Sequence, residues 1–299
     1  MCERLTRARQ LNDFKWMDLI RQPVDCDLAP RPVMISAAGF PSRATIPAHC
    51  HRRAEFVYVV SGRLSVTMDD VGFIASAGSA VLIPPGAMHE VQTLCDTTMM
   101  TLYIVLPRDM PQLATCRVIV VSDLLRELMQ AALDVPAAYE NHSRDERIMD
   151  LMREEVAWLA VQSPMPGLKT PMPQDARLAR LCRQLLSEND PAVTLDDAAS
   201  NAGMGRRTFT RRFRAETGMS FSDWLLRVRL NSAVGRLMTG ASITEAAFDA
   251  GYSSPSAFAK LFKRAFGMPP SELLPRTREG ALHIHSSSDS ARSLNLAGH

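Results

Sequence analysis

The sequence lacks long hydrophobic runs and paired cysteines, and each absence excludes a class of protein. Its 299 residues contain no apolar stretch long enough to span a bilayer, and residues 1–19 have no apolar run typical of a signal peptide. The six cysteines are scattered, without a CxxC pair. This pattern favours reduced thiols over a disulfide scaffold. We therefore expect a cytoplasmic protein that makes no contact with a membrane.

The common catalytic patterns are also missing. The sequence contains no Gly-rich phosphate loop, no Ser/His/Asp arrangement and no cysteine in a nucleophilic setting. With 46% apolar and 22% charged residues, the composition is that of an ordinary globular protein. The length is sufficient for two domains, each with its own core.

Charge is distributed unevenly along the chain. Residues 1–174 carry 17 basic and 20 acidic side chains, whereas residues 175–279 carry 16 basic and 11 acidic ones. The overall net charge of +2 hides this asymmetry. A basic excess in the C-terminal third is where a polyanion is expected to bind.

Hydrophobic periodicity changes along the chain from that of strands to that of helices. From Val33 to about Leu106, short runs rich in Val, Ile, Thr and Phe are broken by turn residues, which predicts an antiparallel sheet or barrel. After Pro111 the spacing becomes helical. One stripe comprises Ile148, Leu151, Met152, Val156 and Leu159. Such a stripe faces either a core or a dimer interface; we expect a homodimer, for which Met152→Glu is the first test.

Prolines mark the domain boundary. Four prolines between residues 164 and 173 cannot continue a helix and favour an extended spacer. We therefore divide the chain into a β-rich domain with trailing helices (1–162), a Pro-rich linker (163–174), a helical domain (175–276) and a disordered tail (277–299).

The helical domain contains an internal repeat. Residues 195–225 align with residues 243–274, with one extra residue in the second copy. The alignment matches Ala198-Ala199 with Ala246-Ala247, Gly203 with Gly251, Phe213 with Phe262, and Gly218-Met219 with Gly267-Met268. Each copy reads as a helix-turn-helix, because the glycine can end the first helix in a left-handed conformation before a second helix starts.

This repeat resembles the AraC/XylS family of bacterial transcription regulators over about residues 176–275. The resemblance implies two recognition helices on one linking helix, which enter successive major grooves of double-stranded DNA. Matched by position, the base-facing residues are Arg207, Thr210 and Arg211 in the first unit and Ser256, Ala257 and Lys260 in the second. Arg206, Arg212 and Lys263 are the candidates for phosphate contact. Because the second helix has few long polar side chains, we expect the first unit to carry most of the discrimination.

The β-rich domain contains two blocks that resemble the paired motifs of the cupin barrel. The first comprises His49, His51 and Glu55; the second runs from Gly78 through Pro84 and Gly86 to His89. The resemblance implies that His49, His51, Glu55 and His89 bind an effector or hold one divalent transition metal such as iron, manganese, nickel, copper or zinc. The match departs from the family at Arg43, where the pattern has Gly, and at Thr93, where it has Asn.

Together these features predict an α+β chain: an N-terminal antiparallel, cupin-like β-barrel with trailing helices, then an all-α domain with two helix-turn-helix units. Three functions fit this organisation. They are a transcription regulator that senses a small molecule, a metal-responsive regulator, and a metal-dependent cupin enzyme with a helical extension. The two arginine-bearing units have no use in a catalytic cupin, so we expect a regulator and no enzyme. Its partners would be DNA, an effector, a second copy and, for an activator, RNA polymerase.

Overall fold

The computed structural model describes residues 29–69, 71–106, 111–162, 169–188 and 192–274. The first 28 residues, half of the predicted linker (163–168) and the predicted tail (277–299) lie outside the described residues. Within those ranges, no helix combines the length and the apolar character needed to cross a bilayer.

The N-terminal domain consists of two antiparallel five-stranded sheets. Their strands are β1 (Val33–Phe40), β2 (Thr45–His49), β3 (Ala54–Ser61), β4 (Arg63–Met68), β5 (Val71–Ser76), β6 (Ser79–Ile83), β7 (His89–Thr93), β8 (Thr97–Ile104), β9 (Arg117–Val120) and β10 (Thr170–Pro171). The first sheet has the order β1-β8-β3-β6-β9, and the second has the order β10-β5-β4-β7-β2. This arrangement confirms the predicted cupin-like architecture of two facing sheets.

Strand β3 lies at the centre of the first sheet and is buried on both faces. Because side chains alternate along a strand, Val57 and Val59 join the apolar cluster between the two sheets, whereas Phe56 and Tyr58 point to the other face. That outer face is covered by two helices, α1 (Asp123–Ala132) and α2 (Arg144–Gln162).

Helix α2 is attached to the barrel by the side of the helix that we had associated with a dimer interface. The residues of α2 that are buried in this core are Met149, Met152, Val156, Ala157 and Ala160. Met152 is completely buried, so the stripe packs mainly on the sheet and Met152→Glu would damage the core. Of the two interpretations of this stripe, core or dimer interface, the structure supports the core at Met152. A period of 3.6 residues marks a buried face without saying what covers it.

The C-terminal domain is built from six α-helices among the described residues and a short 3-10 helix, Pro270–Leu273. The helices are α3 (Ala176–Glu188), α4 (Leu195–Asn201), α5 (Arg206–Thr217), α6 (Phe221–Met238), α7 (Ile243–Asp249) and α8 (Pro255–Phe266). Helices α4–α5 and α7–α8 form the two repeated units. Each unit has its own apolar cluster, and α6 contributes to both.

The long helix α6 also packs against the second sheet of the N-terminal domain. Gly235 lies directly against Ser76 at the end of β5, closer than any residue with a Cβ atom would allow. Nearby, Arg63 on β4 donates hydrogen bonds to Ser232 Oγ (3.0 Å) and to the backbone oxygen of Ser187 (3.0 Å). Both domains therefore meet in a polar and closely fitted contact.

Two strands were not predicted from the sequence. β9 is only four residues long and pairs with β6, in a region whose sequence we associated with helices. β10 lies within the Pro-rich segment, where Thr170 and Pro171 pair with Gly72 and Val71. The backbone oxygen of Pro171 also accepts a hydrogen bond from the indole nitrogen of Trp224 (2.9 Å). Part of the segment is thus attached to both domains.

We expect Gly235→Ala to destabilise the protein, although Ala is favoured over Gly inside a helix by roughly 1 kcal/mol. The added methyl group would collide with Ser76, whose Cα is 3.6 Å from the new Cβ position and whose side chain is closer still. A second change, Ser76→Gly, removes the obstructing atoms and should restore the unfolding midpoint. Gly39→Ala is the matched control, since nothing lies within 4 Å of its Cβ position. A midpoint raised by Gly235→Ala alone would contradict this close contact.

Candidate nucleic-acid interface and histidine cluster

Each helix-turn-helix unit begins with a capping box that fixes its first helix. Thr194 caps α4 and exchanges hydrogen bonds with Asp197, and Ser242 caps α7 in the same way with Glu245. The hydrogen bonds from Thr194 and Ser242 hold the pKa values of Asp197 and Glu245 below their usual range. These boxes repeat at matched positions and could have been found in the sequence, but we did not identify them there.

The glycines of the repeat have the conformation that the sequence predicted. Gly203 and Gly251, which follow the first helix of each unit, have φ values of 63° and 81°. Gly218 and Gly267 end the second helices, also in the left-handed region. Ser254 caps α8 and Pro255 is its first residue, a position that proline favours. The turn between the helices is therefore encoded locally.

Helix α5 presents a basic face to solvent. Phe209 and Phe213 are fully buried and stack at 5.5 Å, which fixes the orientation of the helix. The opposite side exposes Arg207, Arg211 and Arg214, at spacings of four and three residues. Within the described part of the chain, none of these three arginines forms an ion pair. Arg214 was not among our site residues, although its spacing from Arg207 could have indicated it.

The two arginines expected at phosphates have carboxylate partners. Arg206 lies 2.9 Å from Asp196, and Arg212 lies 3.0 Å from Asp175 and 3.3 Å from Glu216. A hydrogen bond from Arg177, and also the nearby charge of Arg212, lower the pKa of Asp175. Thr210 is exposed, and its hydroxyl donates to the backbone oxygen of Arg206 (2.9 Å).

Helix α8 is less basic than α5. Phe258, Phe262 and Phe266 are buried along one side. The exposed positions include all four second-unit residues singled out from the sequence, namely Ser256, Ala257, Lys260 and Lys263. Ser256 Oγ is 2.7 Å from Ser254 Oγ, the capping group. Of these four residues, only the two lysines carry a charge, and the exposed Arg264 adds a third basic group near the end of the helix.

The four residues of the two cupin blocks converge at one end of the barrel, between the sheets. His49 and His89 are paired across β2 and β7 of the second sheet, and Glu55 projects from β3 of the first. His51 lies in the loop between β2 and β3. One ligand atom from each of the four residues lies within 4.8 Å of the others. Glu55 and His89 are 5% and 2% exposed.

Backbone carbonyls orient two of the imidazole rings. Nδ1 of His49 is 2.7 Å from the oxygen of Pro47, and Nδ1 of His89 is 2.9 Å from the oxygen of Ala87. Because a carbonyl oxygen only accepts, each Nδ1 carries the hydrogen, and a neutral ring then has its lone pair on Nε2. This is the arrangement in which histidine binds a metal through Nε2.

Glu55 supplies the negative charge of the cluster. Its Oε2 is 2.8 Å from Nε2 of His89 and 3.8 Å from Nε2 of His51. The contact with His89 has ion-pair distance, but its geometry does not complete a hydrogen bond. Burial acts to lower the pKa of His89, and Glu55 and the carbonyl of Ala87 outweigh it, so the pKa is raised overall. Tyr103, opposite Glu55 on β8, packs its ring 5.0 Å from His51 and was not predicted.

The donor set fits a divalent transition metal. Three imidazoles and one carboxylate are the ligands that such ions prefer, and two of the rings have their second nitrogen bound to a carbonyl. The buried Oε2 of Glu55 and Nε2 of His89 lack a hydrogen bond of normal geometry. A cation between them would satisfy both atoms.

The two departures from the cupin pattern, Arg43 and Thr93, contact each other at one turn. Arg43 has φ of 65°, the left-handed conformation that favours glycine. Its backbone N–H donates to the oxygen of Thr93 (3.0 Å). The Thr93 hydroxyl donates to the oxygen of Pro41 (2.6 Å) and accepts from the N–H of Ala44 (2.9 Å). Thr93 therefore holds the turn in which Arg43 is strained.

Comparison with known proteins supports both halves of the fold. Residues 198–276 match the helix-turn-helix domain family, and residues 38–105 match the cupin domain family. The HTH-type transcriptional regulator NimR of Escherichia coli (strain K12) is 24% identical over 232 residues, which are 78% of this chain and 83% of NimR. In both domains the chain is similar to AraC-family transcription regulators.

Other relatives are similar to this chain over shorter segments. A putative AraC-like transcription regulator of Streptomyces lividans is 38% identical over 86 residues, or 28% of each chain. The activator RhaS of Yersinia pseudotuberculosis is 26% identical over 151 residues, which cover 49% of this chain and 55% of RhaS. Among solved structures, ToxT from Vibrio cholerae aligns with 82% of this chain and 99% of its own, at 11% identity and a TM-score of 0.33.

Proposed function

We propose that this regulator reads double-stranded DNA in the cytoplasm chiefly through α5, and that a ligand at the histidine cluster controls how it does so. The observation that carries this proposal is the connection through the second sheet. That sheet contributes His49 and His89 to the cluster, and its strands β4 and β5 contact α6 through Arg63 and Ser76. The cupin-like domain acts as a binding module and not as an enzyme.

Base reading is assigned to Arg207, Thr210 and Arg211, with Arg214 on the same face. Arginine can donate two hydrogen bonds to guanine in the major groove. Among the described residues these arginines form no ion pair, so no ion pair has to break before they bind a base. Ser256, Ala257 and Lys260 form the corresponding, weaker set on α8. The residues that contact phosphates are Arg206, Arg212 and Lys263. To do so, Arg206 and Arg212 leave their carboxylate partners and pair with phosphate groups instead.

Control by a ligand requires that it binds two arrangements of the protein with different affinity. A ligand that binds His49 and His89 at one edge of the second sheet fixes the positions of β2 and β7 relative to each other. The sheet continues through β4 to β5, on which α6 rests. Since α6 contributes to the cores of both units, a shift of this helix alters the placement of α5 and α8.

The ligand includes one divalent transition metal held by His49, His51, Glu55 and His89. When bound, the ion supplies a positive centre that serves either as the signal or as an anchor for an anionic effector. Glu55 offsets part of its charge, and the carbonyls of Pro47 and Ala87 keep two rings oriented. A purely organic effector that hydrogen-bonds the same four side chains is the alternative.

A second copy of the chain is the proposed partner of α2. Its solvent side exposes three large apolar residues, Leu151, Trp158 and Val161, and Trp158 is 56% exposed. They lie on one side of the helix, whereas Met152 and Val156 face the core. An exposed apolar stripe of this kind suits a homodimer. For an activator, RNA polymerase is a further partner.

Replacing Arg207 or Arg211 with Ala should reduce affinity for the preferred DNA sequence by about 1–3 kcal/mol and relax the preference at one base pair. The measurement is binding to a set of single-base variants of a selected operator. Arg206→Ala is the control, and it should weaken binding to all sequences alike and lower the salt dependence. Equal losses on every sequence for Arg207→Ala and Arg211→Ala would refute the assignment to bases.

The full-length protein, dialysed exhaustively and then reloaded with Zn²⁺, Mn²⁺ or Fe²⁺, should retain about one ion per chain. His49→Ala should abolish this retention because it removes a ligand with a fixed Nε2. His142→Ala is the matched control, as His142 is exposed and outside the cluster. If no ion is retained after reloading, the four side chains form an organic-ligand pocket. If an ion is retained, DNA affinity is measured at increasing concentrations of that ion. An affinity that changes with the ion identifies it as the signal, and an affinity that does not change identifies it as an anchor for an effector.

Trp158→Glu should convert the dimer to a monomer in sedimentation experiments without lowering the unfolding midpoint, because the side chain lies outside the core. Met152→Glu should behave in the opposite way, since it places a charge in a fully buried position. A Trp158→Glu protein that remains dimeric would exclude this face of α2 as the dimer interface.

A further inference from the structure

A cleft of about 410 Å³ lies between the two domains, away from the histidine cluster. The cupin-like domain lines it with the turn before β2 and the end of β7, and the helical domain lines it with α3. The polar residues in its lining are Arg43, Gln92, Thr93, Arg180, Arg183, Gln184, Ser187 and Glu188. None of these residues lies on the exposed face of α5 or α8 that we assign to DNA, and none is one of the four residues of the histidine cluster.

The charge of the cleft is strongly positive. Its three arginines come from both domains, and none forms an ion pair with any described residue. Among the residues that the structure describes, the one carboxylate in the lining is Glu188, which accepts a hydrogen bond from Gln184 (3.0 Å). Three guanidinium groups around one concave surface focus a positive potential there.

A fourth guanidinium lies behind this surface. Arg63 donates to the backbone oxygen of Ser187, which lines the cleft, and to Ser232 Oγ, and both of these acceptors are neutral. No described carboxylate forms an ion pair with Arg63, and burial lowers its pKa. A half-buried cation whose partners are neutral gains stability from any anion nearby.

The backbone at Arg43 gives an independent indication. A left-handed conformation in a residue other than glycine costs of the order of 1 kcal/mol. Glycine would avoid this cost, but it would remove the only cupin-side arginine of the cleft. Thr93 holds the turn in place through its hydrogen bonds to Pro41 and Ala44. The strained conformation therefore positions the Arg43 side chain at the cleft.

We infer that this interdomain cleft binds a small, multiply charged oxyanion, either a phosphate compound or a polycarboxylate. Guanidinium groups recognise both through paired, charge-assisted hydrogen bonds. Gln92, Gln184 and Ser187 provide further polar contacts. Because Arg43 belongs to one domain and Arg180 and Arg183 to the other, the bound anion joins them and favours the packed arrangement. This site is separate from the ligand at the histidines and does not depend on it.

Titration calorimetry on the full-length protein at constant ionic strength tests the inference, with inorganic phosphate in one arm and citrate in the other. We expect one site per chain for at least one of the two anions, and the arms show which chemistry is preferred. Arg183→Gln and Arg180→Gln should each weaken binding about tenfold or more, because each removes a charge-assisted contact. Arg43→Asn should do the same while keeping the left-handed backbone, which Asn tolerates.

Arg144→Gln, an exposed substitution at the start of α2, is the matched control and should leave binding unchanged. The inference is overturned if neither anion binds, or if the three cleft variants bind as tightly as the unaltered protein. It is also overturned if small anions fail to bind and the cleft variants instead weaken binding to DNA of every sequence. In that case the arginines serve the DNA backbone. The metal content of the histidine cluster is measured separately, so failure of either proposal leaves the other intact.

Discussion

The contact between α6 and the second sheet is the constraint on which the rest of the structure depends. The first half of α6 places Trp224 and Val228 in the core of the first unit, and its second half places Val234 and Leu237 in the core of the second. One helix therefore sets the relative placement of both recognition helices. Because Gly235 has no side chain, the backbone of α6 packs directly against Ser76 of the sheet. A movement of the sheet therefore displaces α6.

The features encoded in local sequence were the ones that could be predicted. The matched alanines, glycines and phenylalanines of the repeat determine helix ends and buried faces within about thirty residues, and the structure has them as expected. The histidine cluster was accessible for a similar reason, because the residue spacing within two short blocks, His49 to Glu55 and Gly78 to His89, resembles the cupin motifs. The strand itself ends at His49, and His51 reaches the cluster from the following loop.

Contacts between distant segments could not be predicted. The periodicity of α2 identified a buried face but left open whether a core or a dimer interface covers it, and Met152 faces the first sheet. Arg206 pairs with Asp196 on α4, and Arg212 pairs with Asp175 just before α3. No spacing rule predicts those two pairs. The strands β9 and β10 are too short for a period of two to be visible. In each case the tertiary structure decides the role.

The attachment of the Pro-rich segment limits how far the two domains can separate. Pro171 pairs with β5 and also accepts the indole hydrogen bond of Trp224, and α3 begins at Ala176. While β10 stays paired, this stretch spans at most five Cα–Cα steps, or about 18 Å when fully extended. The helical domain can therefore tilt or slide on the barrel, but it cannot search for DNA as an independent body on a long tether.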